Sequence, residues 1–229
     1  MNYRVVLVVM AILLFAGVFG TLNYLSDQEL NLEQAYDAGT ITLIQKTPAG
    51  SVPHEVTVIN KGEQAIKVEK GYTLTSNSSE DLVIAREEII SPQNNGTVLA
   101  YCLEPETNAQ EETELAVSTK APQLIRDLVS NSNPQNPAEA FKTQLKIWIL
   151  ASDGEVNIYK GEALSLSRKQ GISSFELQNN ISTSRIEVMT QFNLTETDIA
   201  NISTNVNLMN PPKSWWDQIT GTISEFIGI

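Results

Sequence analysis

Positions 5–22, VVLVVMAILLFAGVFGTL, run for eighteen residues without a charge and take the start of this chain out of any soluble core. As a helix the run rises about 27 Å, enough to cross the hydrocarbon of a bilayer, and it has no polar face with which to sit on a protein surface. Arg4 precedes it, whereas Asp27, Glu29, Glu33 and Asp37 follow, so positive charge marks the cytoplasmic side and the bulk of the chain is expected outside. The expectation is a signal anchor, an N-terminal transmembrane helix within residues 1–25, holding a single-pass protein at the cell membrane. The alternative is a secreted chain, cleaved near Gly20 where Val18 and Gly20 are small. An acidic stretch, residues 26–37, links this segment to the rest, as a helical stalk or as solvated chain.

From residue 38 the pattern changes to short runs rich in Val, Ile, Leu and Thr: TITLIQ at 40–45, EVTVI at 55–59, AIKVE at 65–69, DLVI at 81–84 and TVLAYCL at 97–103. Val56 and Val58 alternate with Thr57, and Ile66 and Val68 alternate with Lys67, which is the period of half-buried strands. Asn60, Lys61 and Gly62 fall between two runs, and Pro92, Asn94, Asn95 and Gly96 precede another, so hairpins are expected there. These signals predict an immunoglobulin-like β-sandwich over residues 38–120.

A mixed α+β region is expected over residues 121–210. Leu124, Ile125, Leu128 and Val129 form a helical stripe within 122–130. A longer helix should start at the N-cap Asn136 with Pro137 in its first turn, carry Phe141, Leu145, Trp148 and Ile149 on one face, and stop at Gly154. Strand-like runs then return at 156–159, 163–167, 174–177 and 186–189. The fold class expected is mainly β with α: a sandwich, a helical insert and a further β segment. Residues 211–229 close the chain as an amphipathic terminal helix, with Trp215, Trp216, Ile219, Ile223 and Phe226 as an interface to a membrane surface or a partner.

The formal net charge of −12 disfavours nucleic acid as a partner, since no basic stripe opposes it. Cys102 is the single cysteine and His54 the single histidine, so an internal disulfide and a Cys/His metal cluster are excluded. His54 follows Pro53 away from any nucleophile elbow and reads as a surface-loop residue. The pairs Glu87–Glu88 and Glu111–Glu112 point to opposite faces of extended chain and read as solvated surface. No catalytic residue, cofactor or metal is expected. The partners expected are the membrane, through residues 5–22, and an unidentified extracellular ligand or protein. Sequons at Asn77, Asn95, Asn180, Asn193 and Asn201 permit glycosylation outside the cytoplasm.

Two strings carry a resemblance: Tyr101-Cys102-Leu103-Glu104, and Thr143-Gln144-Leu145-Lys146-Ile147-Trp148. They resemble the aromatic-cysteine motif and the T-Q-x-A-x-W helix of the thioester domains of bacterial surface adhesins, with Lys146 where the family has a small residue. The same strings resemble surface proteins of archaea and other prokaryotes in which a sandwich ends in such a strand. The adhesin resemblance implies a covalent adhesion module in which the Cys102 thiol and the Gln144 amide join as an internal thioester, with Tyr101, Thr143 and Trp148 in support. The alternative is that Cys102 is a small buried hydrophobe and Gln144 a hydrogen-bonded core amide. A small extracytoplasmic enzyme, or a structural subunit of a membrane complex, stands as the other reading.

Overall fold

The computed structural model describes residues 29–205. Among them run β1 (Leu30–Asn31), α1 (Leu32–Asp37), β2 (Ile41–Gln45), β3 (His54–Asn60), β4 (Ile66–Val68), β5 (Tyr72–Thr75), β6 (Leu82–Ile84), β7 (Glu88–Ile90), β8 (Asn95–Cys102) and β9 (Glu114–Lys120). Helices follow: α2 (Gln123–Ser130), α3 (Pro137–Ala151), α4 (Gly161–Gln170), α5 (Ser174–Phe192) and α6 (Glu196–Ile199).

The expected sandwich is a closed antiparallel barrel of six strands, in the order β2-β3-β8-β6-β5-β9, with β9 returning to β2 at Leu43↔Leu115. Alternation identifies the buried face of each strand; it does not say whether the sheet packs on a second sheet or closes on itself. Closure rests on β5 and β9, two strands that the apolar pattern does not single out, and β9 pairs with β5 on one edge and β2 on the other. The hairpin expected at Asn60-Lys61-Gly62 is also corrected. β3 pairs with β2 and β8, while β4 joins β1 and β7 in a separate three-stranded sheet.

The linker reading of residues 26–37 changes for its described part. Asn31 caps α1 in a capping box with Gln34, and Leu32 and Ala35 are fully buried in the core.

The expected later β segment is not formed: residues 156–159 lie in a loop and turn, and the other three runs are helical. Residues 163–167 lie in α4, and residues 174–177 and 186–189 lie in α5. Short apolar runs fit either period, and here the ends decide. Ser173 caps α5 by accepting from the Glu176 N–H, Asn193 stops it in the left-handed conformation, and Gly171 does the same for α4. α5 buries Leu177, Ile181, Ser184 and Val188, a helical stripe. The long helix begins and ends close to where the sequence places it, with Asn136 accepting from the backbone of Ala138 and Glu139.

No helix among the described residues is long and apolar enough to cross a membrane, so the transmembrane helix assigned to the fold class has no counterpart there. The anchor segment at 5–22 and the terminal helix at 211–229 lie outside the described residues.

Candidate functional site

Strand parity builds the site. In β2, Ile41, Leu43 and Gln45 share the buried face; in β3, His54, Val56, Val58 and Asn60 do; in β8, Val98, Ala100 and Cys102 do. The register sets His54 opposite Ala100, and Cys102 opposite Leu82. The last residues of β2 and β8 and the first of β3 and β6 therefore meet at one rim of the barrel. The apolar filling of Leu43, Val56, Val98 and Leu82 gives way there to Gln45, His54 and Cys102. The loop before β6 adds Ser79 and Glu80, α3 adds Gln144 and Trp148, and α4 adds Glu162. All are buried.

The two strings singled out in the sequence meet. The Gln144 side chain accepts from the Cys102 N–H (2.9 Å) and donates to the Cys102 carbonyl (2.7 Å), clamping the strand end where its ladder stops. The Trp148 indole N–H, one helical turn on, donates to Cys102 Sγ at 3.4 Å. Tyr101 is fully buried with its hydroxyl unpartnered, and Thr143 lies beside Gln144 at 9% exposure. Burial first, and then the nearby Glu80 and Glu162, push the Cys102 thiol well above its ordinary range.

Beyond the thiol lies a cluster that the sequence reading missed. His54 is not a surface-loop residue, since its side chain is fully buried, with Nε2 3.2 Å from Glu80 Oε1 and 3.6 Å from Glu162 Oε2. His54 Nδ1 meets Thr47 Oγ1 at 3.1 Å, and Thr47 Oγ1 accepts from the Glu55 N–H. Glu162 accepts from the Gly50 N–H at 2.6 Å through one oxygen and from the Ala109 N–H at 2.8 Å through the other. Gln45 donates to Glu80 at 3.4 Å and accepts from Ser79 Oγ at 2.7 Å.

Two buried carboxyls this close cannot both ionise cheaply. Burial above all, and then the Glu162 charge, push Glu80 up to about 11, so it holds its proton at neutral pH. Burial works to raise Glu162 too, but contacts with His54, Glu80 and the Ala109 N–H outweigh it and hold this carboxylate low. His54 was legible in principle: it continues the parity of Val56 and Val58 by one step. Nothing local marks Glu80 or Glu162.

Asn77, Asn95, Asn193 and Asn201 are exposed, whereas Asn180 is half-buried within α5. The expected interface residues Trp215, Trp216, Ile219, Ile223 and Phe226 lie outside the described residues. An open depression of about 900 Å³ on the surface includes Asp81, Glu104, Glu112 and Glu114 in its lining, and so borders the segments that hold Glu80 and Cys102. No protein-family model, no curated protein and no solved structure matches this chain.

Proposed function

We propose that this chain is a non-enzymatic binding module of the extracytoplasmic space that holds its partner covalently, through an internal thioester between Cys102 and Gln144. The observation that carries the reading is the closure of the site. Cys102, Gln144 and Trp148 touch one another at no more than 1% exposure. An enzyme turning over a diffusible substrate needs an open route to its nucleophile, whereas a latent acyl group must be kept from water until a nucleophile arrives.

The chemistry balances without a redox partner. Sγ attacks the Gln144 carboxamide carbon, the C–N bond breaks, and the thiol proton leaves with the nitrogen as ammonia. A partner amine later displaces Sγ, which regains a proton. The acidic depression beside Glu104 and Asp81 would gather a cationic amine.

Intact-mass measurement of the purified full chain tests this. The expected species is lighter than the sequence by one ammonia, returns to full mass in C102A and Q144A, and gains methylamine on incubation. Gln45 is the other buried carboxamide at this rim, so loss of the light species in Q45A but not Q144A would reassign the acyl donor. A wild-type mass equal to the sequence, with one titratable thiol after denaturation, overturns the covalent reading. Accessibility of the chain to protease added to intact cells tests the location, and full protection of a chain that proteolyses readily after lysis refutes it.

A further inference from the structure

We propose that His54 Nε2, Glu80 and Glu162 form a buried site for one divalent transition-metal cation, with zinc(II) the ion that fits, and that the ion ties the barrel to its helical cap. The three side chains come from the start of β3, from the loop before β6 and from the first turn of α4. Their ligand atoms all lie within 4.8 Å of one another. The Nε2–oxygen separations of 3.2 and 3.6 Å bracket the edge of a tetrahedron whose metal–ligand bonds are about 2.0–2.1 Å, which is about 3.3 Å.

The unsatisfied atoms point the same way. His54 Nε2 and Glu80 Oε2 are buried without a hydrogen-bond partner, and the close approach of Nε2 to the Glu80 carboxyl is not aligned as a hydrogen bond. Buried polar atoms of this kind are costly when left unpaired. Among the described residues neither carboxyl is paired with a lysine or arginine; His54 is their common partner. A divalent ion supplies the missing positive charge and gives His54 Nε2 the partner it lacks.

The surrounding groups fix the ligands as outer partners do in metal sites. The Gly50 and Ala109 N–H groups orient the Glu162 carboxylate. Thr47 Oγ1 can accept from Nδ1–H of the neutral imidazole, and that tautomer turns the Nε2 lone pair toward the carboxyls. Mixed nitrogen and oxygen donors suit zinc better than magnesium, which keeps several waters and asks for an octahedron. His54, Glu80 and Glu162 are exposed by no more than 1%, so the site is closed to bulk solvent. Cys102 is not a ligand here. Its sulfur receives the Trp148 N–H, and this reading stands apart from the thioester.

The test is metal content and zinc titration of the full chain after stripping with EDTA, using a chromophoric chelator as competitor. Expected are one zinc per chain, a melting temperature raised by zinc and lowered again by EDTA, and loss of at least a hundredfold in affinity in H54Q and E162Q. Because these two could disturb folding, E80Q is the deciding variant. It keeps the shape and removes a buried acid, so it should fold and still lose zinc. C102A should bind zinc as the wild type does, whatever the outcome of the mass measurement. Failure of stripped wild-type protein to take up zinc at micromolar concentration overturns the proposal, and so does undiminished binding by folded E80Q.

Discussion

Gly50 offers a sharp test of how the barrel and the helical cap are joined. It lies in the loop between β2 and β3 at φ +78°, and its N–H donates to Glu162. A Cβ built there would sit 2.5 Å from the carbonyl carbon and oxygen of Ser165 and 2.7 Å from the Leu166 nitrogen. These are backbone atoms of α4, which cannot rotate aside, so in Gly50→Ala either the loop or the helix must move and the bond to Glu162 stretches or breaks.

Gly39 is the control, with φ +66° and nothing within 4 Å of its Cβ position. Both substitutions meet the left-handed cost of about 1–2 kcal/mol. Gly50→Ala adds overpacking of about 1–3 kcal/mol and the loss of a hydrogen bond to a charged group, about 1.5–3 kcal/mol. G50A should therefore lose about 3.5–8 kcal/mol and G39A about 1–2 kcal/mol, measured as shifts of the urea midpoint at unchanged slope. A cycle with E162Q should show coupling of at least about 1 kcal/mol, because both substitutions act on one bond. Equal losses for G50A and G39A, or strict additivity with E162Q, would refute the joint at Gly50.

The buried acid gives a pH signature in metal-free protein. Glu80 has its folded pKa raised to about 11 from an ordinary value of 4.5, so its contribution is fully present below pH 4.5 and is lost as pH rises toward 11. Wild-type stability should therefore fall with rising pH through the neutral range, and E80Q should flatten that dependence and be the more stable protein at pH 7.5. Parallel pH profiles of the two proteins by urea denaturation in EDTA would contradict it. Replacing Gln144 by leucine leaves the buried N–H and C=O of Cys102 unpaired and should cost about 2–5 kcal/mol, visible in the same assay. C102A keeps the backbone clamp, and where the wild-type mass equals the sequence it should cost only about 1–2 kcal/mol, since it then removes a small buried group and no cross-link.

Elements whose signals are local can be read from the residues alone. Val56 and Val58 mark the buried face of β3, Asn136 with Pro137 opens α3, and the YCLE and TQLKIW strings single out Cys102 and Gln144. The sequence also holds the parity that turns His54 inward. Features that depend on pairing across distance appear only in the folded chain. Barrel closure needs β9 to bridge β2 and β5, and no property of ELAVSTK alone announces that. Residues 163–167 and 174–177 became helix because caps and packing outweighed short apolar runs that either period can satisfy. Nothing in the sequence singles out Glu80 or Glu162, since charge prefers water unless a partner compensates for its removal. Their partner, His54, reaches them only because one rim of the barrel and the first turn of α4 close over the same few ångströms.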